Sequence, residues 1–429
     1  MSTAEKQNAA VISASARPGS GVWAADAREQ AAARLAQMGL PTRRDEYWKW
    51  TRPDSLIAAA PSPAKVFDYG GESPVFDDVD RLKVVFVDGV FDPDASDEFD
   101  GEGIEIERLS DAAAKDIHWA KDLYGVLEAA GQTPVTRPLA AHNTAMASDG
   151  VVIRVTGQVS RPVSLIYRHE DAASDASLHH VIKLEEGAKL TLLENGAAAA
   201  RFSSVTEVDV AARAEFHHVR AQGRDHERQA VTHMFARLSD KSVFKSFTMT
   251  VNGRLTRNEC VLELLGDDAI AHVAGAALGD GAAGDFHHDD TVFITHDAVA
   301  CESRQVFKKV LKNGAKGVFQ GKILVKPDAQ KTDGYQKSQS LLLDDDASFQ
   351  AKPELEIYAD DVICSHGSTT GAIDEEALFY LQSRGVPTPI ATDLLVLAFL
   401  ADAIEEIEDE GIAEEITTRL EGWLARRRG

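Results

Sequence analysis

Glu185-Glu186-Gly187-Ala188-Lys189-Leu190 is the phrase on which the fold turns. A polar turn leads to a small residue and then into an alternating strand. The chain repeats this as Ala212-Arg213-Ala214-Glu215-Phe216, Asp240-Lys241-Ser242-Val243-Phe244, Asp267-Asp268-Ala269-Ile270-Ala271, Asn313-Gly314-Ala315-Lys316-Gly317 and Asp345-Asp346-Ala347-Ser348-Phe349. The small residues recur at steps of 26, 28, 27, 46 and 32. Self-similarity at a period in the twenties to thirties marks a stacked repeat. In a β-solenoid each coil carries an apolar inner row that it cannot bury alone, so neighbouring coils bury one another. Small corner residues let the chain turn without crowding the coil above. An antiparallel β-sandwich is the competing arrangement. The step of 46 points to a missed coil or an inserted loop around residues 279–284.

Outward from this core, the strand-rich texture spans residues 150–370, split by Gly, Asp and Asn. Residues 21–140 mix helix and strand. Trp23, Ala27, Ala31, Leu35 and Met38 recur at helical spacing until Gly39 and Pro41 stop the helix. Residues 81–92 read as a strand and turn, and 110–130 as a helix ending at Gly131. Residues 1–20 read as a flexible tail. Residues 374–429 are helical: Asp374 caps a helix over 375–384 that Gly385 and Pro387 end. A second helix is expected from about Asp393 to Glu410, and a third carries Ile412, Ile416, Leu420, Trp423 and Leu424. The second has Leu394, Leu397, Ala398, Ala401, Ile404 and Ile407 along one face. Leu395, Val396, Phe399 and Leu400 widen that face beyond what one packed side needs.

Composition narrows the function. The 429 residues carry 69 acidic and 45 basic side chains, a net charge of -24, which argues against gripping nucleic acid or anionic lipid. Eight carboxylates and no Lys or Arg fall between Asp402 and Glu415, as in a solvated rim around a docking surface. Cys260, Cys301 and Cys364 are too few and too scattered for a disulfide framework, and they form no C-x-x-C. The N-terminus lacks the apolar run of a secretory signal, and the longest apolar run, residues 394–401, is too short to span a bilayer. A cytoplasmic protein with reduced thiols is expected.

Three constellations could carry chemistry. Cys364 and His366 stand at i and i+2, so on a strand thiol and imidazole share a face, and both suit a soft or borderline metal. Two donors need a partner chain to complete a site; alternatively Cys364 is a small buried hydrophobe and His366 a hydrogen-bonded one. The pairs His179-His180, His217-His218 and His287-His288, with His272 and His296 nearby, cannot each chelate one ion from one face. One histidine of each pair can stack into an outward ladder. The clusters Asp289-Asp290, Asp344-Asp345-Asp346 and Asp360-Asp361 suit glycosidic chemistry or calcium, or serve as solvated turns. No P-loop, dinucleotide fingerprint, H-E-x-x-H or G-x-S-x-G occurs, so nucleotide chemistry would belong to a partner.

Residues 352–371, Lys-Pro-Glu-Leu-Glu-Ile-Tyr-Ala-Asp-Asp-Val-Ile-Cys-Ser-His-Gly-Ser-Thr-Thr-Gly, continue through Ile373-Asp374-Glu375-Glu376-Ala377-Leu378-Phe379-Tyr380-Leu381-Gln382-Ser383-Arg384-Gly385-Val386. This block resembles the signature of the SufB/SufD family of the SUF iron–sulfur cluster assembly machinery. Arg44-Asp45-Glu46-Tyr47-Trp48-Lys49-Trp50-Thr51 looks like that family's N-terminal motif. SufB typically carries a His-Glu pair where this chain has His366-Gly367, and a cysteine where it has Ser338-Gln339-Ser340-Leu341-Leu342. Both differences place the resemblance on the SufD branch.

The resemblance implies a mainly β fold: a right-handed parallel β-helix core flanked by helical N- and C-terminal regions. It implies a non-catalytic subunit that pairs with a SufB-like protein through the core and docks a SufC-like ATPase through its C-terminal helices. Leu394, Leu397, Phe399, Leu400 and Ile404 are the residues expected at that docking surface. His366, with Cys364 as companion, would meet a nascent cluster shared with SufB. No cofactor would be tightly bound by this chain, ATP would sit only in the SufC partner, and the isolated chain could pair with itself. The alternatives are a self-sufficient SufB-like scaffold and a β-helical carbohydrate-active enzyme using Asp289 and Asp290.

Overall fold

The computed structural model describes residues 21–66, 74–99, 101–223, 227–283 and 285–426. The tail expected over 1–20 and the last residues of the chain lie outside them. The core is a β-solenoid of two sheets. The first sheet has ten strands. It runs from Val90–Phe91 and Leu82–Val87 through Val163–Arg168, Lys189–Gly196, Glu215–Gly223, Val243–Val251, Ile270–Asp280, Glu302–Lys312 and Asp333–Leu342 to Ile363–Gly371. The second has nine, from Ile104–Arg108 and Val151–Val155 through Asp175–Leu184, Arg201–Val210, Gln229–Leu238, Leu255–Leu264, His287–His296 and Lys316–Val325 to Ser348–Ile357. Strands pair in parallel from coil to coil, except at the two antiparallel pairs of the starting end. Because Leu82–Val87 and Ile104–Arg108 join these sheets, the sheets reach back across the change of texture at Gly150.

The corners explain the repeat. Ala188, Ala214, Ser242, Ala269, Cys301 and Thr332 each stand just before a strand of the first sheet, 26, 28, 27, 32 and 31 residues apart, and all are buried. Cys301 is the missed coil hidden in the step of 46. Ala315 and Ala347 belong to the other corner, before strands of the second sheet. The residue preceding each first-sheet corner takes a left-handed backbone: Gly187, Arg213, Lys241, Asp268, Ala300 and Lys331 have φ of 69, 59, 55, 59, 56 and 61°. The amide of each then bonds a carbonyl one coil on, as Arg213 does to Asp240 and Lys241 to Asp267. Stacked coils thus leave no room for a larger corner side chain. Ala214→Leu is expected to cost about 1–3 kcal/mol through overpacking. Its urea unfolding midpoint should fall; an unchanged midpoint would show that the corner is not limited by packing.

Flanking helices cover the outer faces. Helix Val22–Met38 ends at Gly39 as expected and packs on helix Pro138–Met146. The single helix expected over 110–130 is broken into Leu109–Ala114, a 3-10 turn at Trp119–Asp122 and Val126–Ala130, with Gly125 in a left-handed turn. Asp374 caps helix Glu375–Ser383 by accepting from the amides of Glu376 and Ala377. The second C-terminal helix is Thr388–Ile404 rather than 393–410, because Pro389 falls in its first turn, where no amide donor is needed. The third is Glu410–Arg426.

The last two helices lie on the outer face of the first sheet. Val396, Leu400, Ala403 and Ile407 pack with Ile412, Ile416, Leu420 and Trp423 against Phe247, Met249 and Val306. This corrects the expected docking surface. Leu400 and Ile404 are buried inside the chain's own core, Leu397 and Phe399 are half-buried, and only Leu394, at 46%, is exposed. The acidic run is not merely a solvated rim either. Asp402 pairs with Lys308 at 2.9 Å and Lys337 at 2.7 Å, Glu406 with His272 at 2.9 Å, and Glu408 with Lys245 and His217.

Candidate functional site at the open end of the solenoid

Coil stacking ends at Ile363–Gly371 and Ser348–Ile357, the last strands of the two sheets. Each is paired on one side only, so their backbone groups form a free edge. Cys364 lies beside Gly334, His366 beside Gln336 and Ser368 beside Ser338 in the parallel register. Gly334, Gln336 and Ser338 are the buried, inward-facing positions of their strand, so Cys364, His366 and Ser368 continue that inner row at the mouth of the lumen.

The two candidate ligands differ in setting. Cys364 is half-buried against Ile323, Val325 and Ala329, and desolvation pushes its thiol up. His366 is exposed. The sequence expectation that they share a face holds. Among the described residues no group of three or more His, Cys, Asp or Glu side chains could hold a metal ion. Stable thiolate and imidazole sites take about four donors, and Cys364 and His366 are two. Cys260 and Cys301 are buried, their thiols pushed up to about 12 and about 11 by burial, and they lie three and two coils behind the open end. Ser338 is buried and bonds Ser368, leaving a hydroxyl pair next to His366.

The other constellations do not join the site. The paired histidines do face opposite sides, but no ladder forms: His179, His217 and His287 lie beside Val205, Lys245 and Lys316. Outward-facing His179 bonds Glu207 at 2.9 Å and His287 bonds Thr51 at 2.9 Å. Asp289 and Asp290 also point to opposite faces. Asp289 meets Arg257 outside, and Asp290 accepts from Lys309 at 2.9 Å inside. Both are buried, so they present no carboxylate pair to a sugar. Asp344 caps a turn, accepting from the amides of Asn313 and Ala347, and Asp360 and Asp361 are exposed.

Sequence reading missed what these charges build. Inside the solenoid, Glu194 accepts from Tyr167 at 2.9 Å, Arg220 at 2.7 Å and His218 at 2.9 Å. Arg220 donates to Thr232 at 2.9 Å, Thr232 to Asn258 at 2.9 Å, and Asn258 to Asp290 at 3.0 Å. Burial would raise the Glu194 carboxyl, but Arg220 and His218 hold it well below the usual range. The signal was legible: polar residues at inward parity within otherwise apolar strands.

The two motifs of the family resemblance, some three hundred residues apart, touch. Tyr47 donates to Glu354 at 2.5 Å, Lys352 pairs with Glu46 at 2.6 Å and lies 3.9 Å from the centre of the Tyr47 ring. The N-terminal motif thus braces the penultimate strand at the open end.

Comparison with known proteins agrees with this geometry. Residues 167–399 match the family model for the SUF system FeS cluster assembly SufBD core domain, and residues 8–165 that for the SufBD protein N-terminal region. The chain is 29% identical over 404 residues to the iron–sulfur cluster assembly protein SufD of Escherichia coli (strain K12), covering 90% of each. It is 25% identical to a SufBD family protein of Synechocystis sp., covering 89% of this chain and 86% of that one. With SufD of Bacillus subtilis (strain 168) it shares 28% identity over 66% of each chain. No described helix is long and apolar enough to cross a membrane. With a solenoid core and family-model matches over residues 8–165 and 167–399, the chain belongs to the SufBD family of the SUF system and is a component of iron–sulfur cluster assembly.

Proposed function

We propose that this chain is the non-catalytic, SufD-like subunit of a scaffold complex in the cytoplasm. It pairs with a SufB-like chain through the open end of the solenoid, where His366 and Cys364 meet a nascent cluster held jointly with that partner. The observation carrying this reading is the free terminal strand Ile363–Gly371, which puts a thiol and an imidazole on one face of an unpaired edge beside Ile363, itself 74% exposed. Parallel strands end in unpaired donors and acceptors that a second chain can satisfy. A SufC-like ATPase docks on the C-terminal helices. Helix Glu375–Ser383 buries none of its residues, and Phe379 and Tyr380 are 71% and 56% exposed, with Leu394 close behind in sequence. These replace Leu400 and Ile404 as the contacts expected there. ATP and its hydrolysis belong to that partner, and the nascent cluster is cargo.

Co-expression with SufB-like and SufC-like chains should give one co-purifying complex, and Phe379→Ala/Tyr380→Ala should lose the ATPase while keeping the SufB-like chain. His366→Ala, at an exposed position, should leave the fold and the complex intact and lower cluster yield about tenfold or more, the order of effect of removing a ligand-orienting or ligating group. Normal cluster yield from a complex of normal composition would refute the role of His366.

A further inference from the structure

Beneath His366 lies a buried amide with an unused acceptor. Gln336 is fully buried and is the register neighbour of His366 on the adjoining strand. Its Nε2 donates to Oε1 of Gln305, one coil further back, at 2.8 Å. Its own Oε1 is buried without a partner. Adjacent strands are only about 4.8 Å apart, so the ring of the next residue in the row is within reach of that oxygen. Ser338 and Ser368 bond each other and Cys364 stands over Gly334, while the Gln305 amide behind accepts from Gln336 and leaves its own Nε2 without a partner. Among the described residues, no hydrogen bond holds the His366 ring. The lumen makes room for the amide at one point. A Cβ on Gly321, across the cavity, would come within 2.1 Å of Gln336 Nε2 and 2.7 Å of its Cδ.

We propose that Gln336 is the positioning residue of His366: its side-chain carbonyl accepts one ring N–H and turns the other nitrogen, with its lone pair, out of the mouth of the solenoid. A buried carbonyl lacking a donor favours whichever donor can reach it. A neutral imidazole with one N–H so occupied has its tautomer set, because the other nitrogen then carries the lone pair that meets an electrophile or metal. Gln305, by accepting from Gln336 Nε2, ties the nitrogen of that amide to the coil behind and leaves its carbonyl as the free end. The inference rests on the proposed role of His366 for its functional meaning, but the contact itself does not.

The test is nuclear magnetic resonance of the purified full-length chain carrying nitrogen-labelled histidine, with the His366 signals identified by their loss in His366→Ala. At alkaline pH, where the imidazole is neutral, one tautomer is expected to dominate in the parent. Gln336→Leu should return the ring to the mixture of a solvent-exposed histidine, and Gln336→Glu, which keeps an acceptor, should preserve the dominant form. Gly321→Ala pushes the amide aside while keeping glutamine at 336 and should mimic Gln336→Leu if that variant does not fold. A tautomer ratio unchanged in Gln336→Leu or in Gly321→Ala overturns the inference. If the ratio responds but His366→Ala leaves cluster yield normal, the contact stands and the role of His366 falls. If His366→Ala abolishes assembly and the ratio ignores Gln336, the inference falls alone.

Discussion

Between about pH 7 and about pH 5 this protein is expected to lose several kcal/mol of stability, far more than a domain with exposed histidines. His180, His233 and His296 are buried and His142 and His287 half-buried, and desolvation holds each down at about 4 from its ordinary value near 6.5. In the unfolded chain they take up protons as pH falls below about 6.5, while the folded chain keeps them neutral until about 4. The unfolded state therefore binds more protons throughout that window. The stabilisation is present above about pH 6.5 and is lost as pH falls toward 4, at about 1.4 kcal/mol per pH unit for each proton of difference. Glu259 extends the loss further down. Burial would raise its carboxyl, but Arg257, His233 and Arg137 outweigh that and hold it at about 2, so its share fades from about pH 4.5 to about 2. Glu128, raised by burial, opposes the trend with a single proton. Urea midpoints measured at intervals of pH should fall steeply from neutrality; a flat profile down to about pH 5 would mean the histidines are not buried as neutral groups.

Arg257→Ala is the substitution expected to do most harm away from the open end, at about 3–5 kcal/mol. Arg257 is buried on the outer face of the second sheet, where its Nε donates to Glu259 at 2.8 Å and its Nη1 to the Tyr47 carbonyl at 2.9 Å and to Asp289. Its guanidinium lies 4.2 Å from the centre of the Trp48 ring. Removing it leaves Asp289 buried with only the neutral donors Thr51, Thr291 and Gln320, and Glu259 with Arg137 alone as a close cation. Arg257→Lys should recover little, because a single ammonium cannot reproduce the fork. Loss of the pair should also free the segment around Tyr47 and Trp48, read as faster proteolysis near Arg43 and Arg44. Arg237, which pairs with Asp209 at 2.7 Å in a half-exposed site, is the comparison: Arg237→Ala should cost less than about 1 kcal/mol. Equal effects of the two substitutions would refute the account of a buried charge cluster.

Several parts of the molecule were legible for local reasons. A small corner residue, a left-handed turn position and an alternating strand lie within a handful of neighbours, so Ala188, Ala214, Ser242 and Ala269 announced the coils on their own. Asp374 and Gly39 did the same for helix ends. Cys364 and His366 were legible as a pair because two positions along a strand share a face whatever the fold. Cys301 escaped because a thiol does not read as a corner residue, although it is small and fills the same buried corner. Gly385 and Pro387 did end the first C-terminal helix, but the next one starts at Thr388, ahead of the expected Asp393, because a proline such as Pro389 is tolerated in a first turn.

What the sequence by itself determined was the coil period, the parity of each strand and the family motifs, all of which depend on spacing of a few residues. The tertiary structure alone decided which polar side chains were enclosed. Whether Glu194 meets Arg220, whether Asp402 clasps Lys308 and Lys337, and whether Leu400 faces a partner or its own core depend on register across coils and on how the C-terminal helices roll against the sheet. The reason is physical. A charge in water is indifferent to its neighbours beyond about 10 Å, whereas a buried charge has to find a partner, and only packing settles which charges are buried.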